Sequence, residues 1–135
     1  MAVYLSNGVV VTVNSVDLSA LVSSVTLNRT FDELEVTAMG DSGHKFVKGL
    51  EASSLTIDFF NDSATSKTLQ TLQAAYGTNV TVTLKQTSAA TSATNPLYTM
   101  TCLVNNLTDI NGGVGDLSTQ SVTWNVSGTV AITTA

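Results

Sequence analysis

The residues best suited to chemistry lie in one short stretch, Gly40-Asp41-Ser42-Gly43-His44. A serine between glycines, close to an aspartate and a histidine, supplies the residue types of a nucleophilic triad. That chemistry needs the histidine to reach the serine from another part of the fold, oriented by an aspartate. Here the only histidine of the chain follows Ser42 by two residues. A polar turn between two strands explains the stretch better, because Gly40 and Gly43 can adopt the positive φ that such turns need.

Three carboxylates, Asp32, Glu33 and Glu35, precede this turn and raise the possibility of acid–base chemistry. Such catalysis pairs two carboxyl groups whose surroundings drive their pKa values apart, one of them in an apolar pocket. These three side chains stand almost side by side in an acidic, polar stretch, where no apolar pocket is predicted. We therefore expect them to be solvated or paired with a neighbouring cation.

The stretch from Asp109 to Asp116 begins like a calcium-binding loop. An EF-hand needs Asp or Asn at the fifth position, Gly at the sixth and Glu at the twelfth. Those positions hold Gly113, Val114 and Gln120, so the pattern fails. We predict a flexible glycine loop here.

Cys102 is the only cysteine of the chain, so an intrachain disulfide is impossible. It alternates with Thr101 and Leu103 in a strand-like pattern, which predicts a buried and unreactive thiol. His44 has no second histidine with which to hold a metal ion. We predict a protein that is not an enzyme and has no cofactor.

Apolar and polar residues alternate along most of the chain, which predicts β-strands. These strands would position the residues discussed above. The alternation predicts strands near 9–13, 24–28, 33–38, 54–59, 80–85, 98–104, 121–127 and 130–132. One segment, 62–76, predicts an α-helix instead. Asp62 is suited to its N-cap and Gly77 to the position after its end, with Leu69, Leu72 and Tyr76 forming an apolar stripe.

These elements predict a mainly β protein, a β-sandwich or partly open barrel with one α-helix, in a single domain over residues 1–135. Residues 30–50 are predicted to form a charged loop or hairpin arm. Residues 87–96, rich in Thr, Ser and Ala, are predicted to form a flexible loop or hairpin tip. The first eight residues lack the basic and apolar regions of a secretory signal, and no stretch is apolar enough to span a membrane.

Charge is scarce and unevenly placed. Only 11% of residues are charged, against roughly 25% in typical soluble domains. Eight of the 15 charged residues lie between Arg29 and Glu51. The net charge of −5 argues against a protein that grips nucleic acid, because phosphate binding needs a basic surface.

The polar positions of the strands carry Thr, Ser and Asn rather than Lys and Glu. Uncharged, β-prone strand edges favour pairing with other chains, because nothing repels a second strand. Alternatively, Thr is frequent simply because it suits pleated strands. The first interpretation predicts a domain that assembles with copies of itself.

The order of features along nearly the whole chain resembles the major tail protein (tail tube protein) family of long-tailed, non-contractile bacteriophages. No single phrase carries the likeness, which depends on joint order. The phrases are 16–19 (VDLS), strand 24–29, 35–37 (EVT), 39–41 (MGD), 48–50 (KGL), strand 54–60, helix 62–77, 115–117 (GDL) and the strand ending at 127–128.

The resemblance implies a tail-tube-like subunit that forms hexameric rings, stacked into a hollow conduit for genome delivery. It implies a place in the virion tail, synthesis in the host cytoplasm, and contacts with tail terminator, tape measure and tail tip proteins. DNA would only pass through the lumen, which we expect to be neutral to acidic. A long loop reaches the adjacent ring in such proteins. We therefore predict inter-ring contacts for Asp32, Glu33, Glu35, Asp41, His44, Lys45 and Lys48.

Two other classes remain open from the sequence. A capsid decoration or adhesin-like β domain would also be rich in Thr and Val and acidic, and would bind without forming tubes. A small carbohydrate-binding sandwich would need exposed aromatic residues on one face, whereas only 6% of the residues are aromatic.

Overall fold

Antiparallel strands are the main regular structure of the chain, as the alternation predicts. The structure, a computed structural model, describes residues 8–134. The start of the chain, on which the prediction about a signal depends, lies largely outside the described residues. Strands make up 46% of the chain and helices 9%, which confirms the mainly β prediction. The described residues form three sheets and one α-helix, and no sheet closes into a barrel.

Ten strands, a 3-10 turn and the helix follow each other along the chain. Their bounds are β1 (Val10–Val13), β2 (Val16–Asp17), the 3-10 turn (Ser19–Leu21), β3 (Val22–Asn28), β4 (Phe31–Glu35), β5 (Phe46–Glu51), β6 (Ser54–Phe60), α1 (Thr68–Ala75), β7 (Asn79–Lys85), β8 (Leu97–Leu103), β9 (Thr119–Asn125) and β10 (Ala131–Thr133). The first sheet has the order β10-β8-β7-β1-β2, and the second has the order β3-β6-β9. Strands β4 and β5 pair only with each other.

The core lies between the five-stranded and the three-stranded sheet. Val11 and Val82 come from the first sheet, and Ile57, Phe59 and Trp124 come from the second; all five are fully buried. Each such side chain stabilises the fold by roughly 1.5–3 kcal/mol relative to an exposed position. The alternating positions of the central strands therefore account for the sandwich.

The helix is shorter than predicted at its start. It begins at Thr68, because Ser66 has a positive φ of 59° that interrupts any helix begun earlier. Asp62 does not cap it; its carboxylate accepts a hydrogen bond from the Ala64 N–H (2.9 Å) in a local turn. Gly77 follows the helix end with φ of 83°, as predicted.

The helix buries a face that only partly matches the predicted stripe. Thr68, Thr71, Leu72 and Ala75 are its buried residues. Tyr76 is 58% exposed, because the helix ends just before it and its side chain leaves the core. The predicted stripe was therefore wrong at its last position.

The connection between β7 and β8, residues 87–96, is organised around one buried side chain. The Asn95 amide donates hydrogen bonds to the backbone carbonyls of Thr87 (3.4 Å), Ala89 (3.0 Å) and Ala90 (3.4 Å). An amide with three backbone acceptors defines the shape of a loop that has little side-chain packing of its own.

Candidate functional site

Strands β4 and β5, with residues 36–45 between them, form a hairpin that we call the arm. It continues from the edge of the three-stranded sheet, since β4 follows β3 and β5 precedes β6. At its root the Ala52 N–H donates to the Thr30 carbonyl (2.8 Å), and the Thr30 hydroxyl donates to the Ala52 carbonyl (2.8 Å). No residue of the arm is buried, so both of its faces meet solvent.

Large apolar side chains are concentrated on the arm. Seven of the 13 exposed large hydrophobic residues among the described residues lie there: Phe31, Leu34, Val36, Met39, Phe46, Val47 and Leu50. A two-stranded hairpin alone in water is marginally stable at best. Exposed apolar patches on soluble proteins mark surfaces that other molecules cover. The arm therefore has the composition of a contact surface.

The pairing of β4 with β5 sorts these side chains onto two faces. Leu34 lies opposite Val47 on one face. Glu35 lies opposite Phe46 on the other face, next to the pair formed by Glu33 and Lys48. Directly opposed residues of antiparallel strands share a face and touch. One face is thus largely aliphatic, and the other mixes aromatic and charged groups.

The structure brings four of the seven predicted contact residues together in pairs at the arm tip. The Glu35 carboxylate meets His44 Nδ1 (2.5 Å) and also accepts a hydrogen bond from the Thr37 hydroxyl (2.8 Å). Lys45 Nζ lies 3.0 Å from Asp41 Oδ1. These partners lower the pKa of Glu35, with His44 as the first cause.

Asp41 adds a second set of hydrogen bonds at the arm tip. The pKa of Asp41 is lowered as well, first by the hydrogen bond from the Ala38 N–H (2.7 Å) and then by Lys45. Exposed ion pairs contribute little to the stability of a fold. We therefore interpret the Glu35–His44 and Asp41–Lys45 pairs as defining the conformation of the turn.

The remaining three predicted contact residues are placed differently. Asp32, Glu33 and Lys48 form no ion pair with any residue in the part of the chain that the structure describes. Lys48 Nζ lies 5.5 Å from the centre of the Phe31 ring, in the range of a cation–π contact. These three charges stay available to a second molecule.

The tip is not arranged for nucleophilic chemistry. His44 Nδ1 faces Glu35 rather than Ser42, and the histidine side chain is 75% exposed. Across residues 8–134 no three His, Cys, Asp or Glu side chains come close enough to hold a metal ion. Within that same range, no helix has the length and apolar character to cross a membrane.

Glu51 makes a contact at the arm root that the sequence did not predict. Its carboxylate accepts hydrogen bonds from the Ser53 hydroxyl (2.8 Å) and the Val130 N–H (2.9 Å). These bonds, with that of Val130 first, lower the pKa of Glu51. The contact joins the arm root to the segment before β10. No local pattern could reveal it, because 79 positions separate the two partners.

The outer faces of the two main sheets are poor in charge. On the three-stranded sheet Thr26, Thr56 and Thr123 form a row, with the Thr56 and Thr123 hydroxyls 3.1 Å apart. Asp58 is the one charged residue within these three strands. The five-stranded sheet carries Lys85 on its outer face.

The comparisons with known proteins give no family: the chain matches no family model, and no curated protein matches it.

Proposed function

We propose that this protein is a structural subunit of the tail tube of a long-tailed, non-contractile bacteriophage, forming stacked rings around a channel for DNA. The observation that carries the proposal is the arm, a solvated hairpin with large apolar residues on both faces. A hairpin of this kind gains stability when a second molecule covers it, because its own sheet gives it only one partner strand.

Open sheet edges support ring formation by the same chain. Strands β2 and β10 end the first sheet, and β3 and β9 end the second. Monomeric proteins usually protect edges with lysine, proline or bulges. Strands β3 and β10 contain no charged residue and no proline, and a bulge occurs only near the start of β3. The edge of β9 is partly covered, since its Thr119 and Thr123 carbonyls accept hydrogen bonds from Asn111 and Asn106. Edge-to-edge contacts between copies would be heterologous and could close into a ring.

Charge favours the three-stranded sheet as the lining of the channel. A conduit for DNA should not bind phosphates, because each neutralised phosphate adds affinity and slows transit. The outer face of this sheet presents hydroxyl and amide groups with the anion Asp58 as its charge, whereas the outer face of the other sheet carries a cation, Lys85, as well as Asp17. We therefore assign the row of Thr26, Thr56 and Thr123 to the lumen.

Electron microscopy of the purified protein tests the proposal. We expect tubes of constant width at high protein concentration, or after adding preformed tube fragments as nuclei. A variant that lacks Asp41–Lys48 should remain folded and should stop at monomers or single rings. A wild-type protein that stays monomeric even with nuclei would favour the decoration or binding module and reject the tube.

A further inference from the structure

A second group of exposed apolar side chains lies away from the arm. Ile110 (94% exposed), Val114 and Leu117 belong to the loop of residues 105–118, which joins β8 to β9. Tyr76, at the end of α1, lines a cleft of about 220 Å³ together with Leu107 and Asp109 of this loop. We call the loop and Tyr76 the acceptor patch.

The arm and the later part of the acceptor loop, residues 108–118, lie at opposite ends of β6, whereas the loop begins nearer the arm root, where Asn106 Nδ2 donates to the Thr123 carbonyl (3.1 Å). Strand β6 leaves the arm root at Ser54 and ends at Phe60, about 20 Å away at the usual rise per residue. Phe60 pairs with Thr119, the residue directly after the acceptor loop, and the Asn61 N–H donates to the Ser118 carbonyl (3.0 Å). Together the arm and the acceptor patch carry 11 of the 13 exposed large hydrophobic residues among residues 8–134.

The acceptor loop is anchored, although it has no secondary structure. Buried Gln120 donates from Nε2 to Asn61 Oδ1 (2.8 Å) and accepts at Oε1 from the Thr108 N–H (3.0 Å). Asn111 Nδ2 donates to the Thr119 carbonyl (2.9 Å). A loop held at several points presents its apolar side chains in a defined arrangement, which suits it for recognition.

We infer that the acceptor patch of one copy receives the arm of the next copy, so that subunits stack head to tail along the direction of β6. The inference rests on the proposed function for the role of the arm and adds its partner surface. A second copy is the occupant because both surfaces expose large apolar side chains, and because Ile110, Val114 and Leu117 lie at the end of β6 away from the arm. Such heterologous contacts repeat without closing, as stacking requires.

Size and charge agree with this occupant. The arm contains 21 residues, 31–51, which matches the 20–30 residues per side of a standard interface. The acceptor loop carries Asp109 and Asp116 and no basic residue, whereas the arm carries Lys45 and Lys48. Both surfaces are net negative, so apolar contact must supply most of the affinity, and Lys48 reduces the repulsion.

Two paired variants test the inference. The arm variant is Leu34→Asp with Val47→Asp, and the acceptor variant is Ile110→Asp with Val114→Asp. All four side chains are exposed, so the core should be unaffected, which circular dichroism and the Tm would verify. The charge-matched control is Ser88→Asp with Ala93→Asp, at exposed positions between β7 and β8.

Sedimentation velocity then separates the outcomes. Each variant alone should stop at monomers or single rings, with association weakened at least roughly tenfold, whereas the control behaves like wild type. An equimolar mixture of the two separately equilibrated variants should form a complex of twice that mass and grow no further, because one arm and one acceptor patch remain intact. An acceptor variant that still stacks like wild type, or a mixture that does not pair, overturns the inference.

These results also separate this inference from the proposed function. If the wild type forms tubes and the acceptor variant does so equally well, the tube proposal stands and the acceptor assignment is wrong. If the mixture pairs but the wild type forms no tube, the head-to-tail contact stands and the tube proposal fails.

A cross-linking experiment identifies the contact directly. Val47→Cys protein mixed with Val114→Cys protein should link through a short bismaleimide, and Val47→Cys alone should not. Native Cys102 gives little background, since it is buried and burial raises its pKa to about 11. Efficient linking within Val47→Cys alone would show arm-to-arm pairing and contradict the inference.

Discussion

At the scale of residues, Glu51 is the side chain that ties the arm to the body of the protein. Its carboxylate accepts hydrogen bonds from Ser53 and from Val130 at the start of the last segment. Hydrogen bonds to a charged acceptor are stronger than those to a neutral one. The Glu51 carboxylate therefore adds a charged contact to the arm root, beside the two hydrogen bonds between Thr30 and Ala52.

Replacing Glu51 with Gln should lower the Tm by a few degrees at neutral pH and loosen the arm root. The pKa of Glu51 is lowered from its usual 4.5 in the folded protein, so its contribution is present above pH 4.5 and is lost as the pH falls through the lower folded pKa. The difference in Tm between wild type and E51Q should therefore shrink as the pH falls below 4.5. Thermal unfolding followed by circular dichroism at several pH values measures this.

Glu33→Gln is the matched control for this series, because in the described residues the Glu33 side chain makes no hydrogen bond or ion pair. Its Tm should follow that of the wild type across the same pH range. A constant gap between E51Q and wild type down to low pH would contradict the assigned role of the Glu51 charge.

The sequence predicts core residues well and long-range polar contacts poorly. Ile57 and Trp124 lie at apolar positions of two strands that the alternation predicts, and both are buried, because alternation along a strand is a local signal. The bond from Val130 to Glu51 joins residues far apart in sequence, and no periodicity encodes it. The late start of the helix depends on the left-handed backbone at Ser66, a residue whose type does not require that conformation.

At the scale of elements, strands β4 and β5 of the arm approach each other closely at one point, where Gly49 lies against Asp32. The pairing shifts between Phe31 and Glu33, where β5 contains one more residue than β4. Gly49 lies at this irregularity, and a Cβ there would come within 2.9 Å of both Cβ and the carbonyl oxygen of Asp32. A glycine is therefore required for β4 and β5 to stay paired.

The Gly49→Ala variant should distort the arm while leaving the sandwich folded. Its Tm should stay close to that of wild type, because the arm buries nothing in the core, whereas stacking should weaken about tenfold, equivalent to about 1.4 kcal/mol. Sedimentation velocity and electron microscopy measure the loss. Gly43→Ala is the control, since a Cβ there meets nothing within 4 Å; equal assembly of the two variants would show that arm shape is unimportant.

The sequence located the arm by its charge, and the structure adds which of these charges pair with each other. Asp41 pairs with Lys45, and Glu35 pairs with His44, so much of the charge acts within the tip. The contact character comes from apolar residues such as Leu34, which alternation alone would place facing a core. The structure shows that this side chain is exposed, because no other sheet or helix packs against the arm.

At the scale of the whole molecule, three surfaces would divide the work of a tube subunit. The arm leaves the sandwich at the Ser54 end of β6, residues 108–118 of the acceptor loop lie at its Phe60 end, and the open edges of β3 and β10 lie at the sides. The outer face of β3, β6 and β9 is left over, flat and nearly uncharged. A surface that makes no contact with other subunits and carries no cation suits the wall of a DNA channel.

Lysines on the two outer faces would decide which sheet lines that channel. Thr56→Lys with Thr123→Lys places two cations on directly opposed residues of the three-stranded sheet. Thr81→Lys with Thr101→Lys does the same on the five-stranded sheet, as a charge-matched control. Both pairs face solvent, so both variants should fold and form tubes.

Only the first variant should retain DNA inside the tube, with an affinity that falls steeply as salt rises, because counterions are released when lysines neutralise phosphates. The measurement is the fraction of DNA protected from nuclease in purified tubes between about 50 and 200 mM salt, together with the rate of genome delivery by particles that carry each variant. Delivery should slow with the first pair and stay normal with the second. Protection and slow delivery from the Thr81 and Thr101 pair instead would assign the channel to the five-stranded sheet.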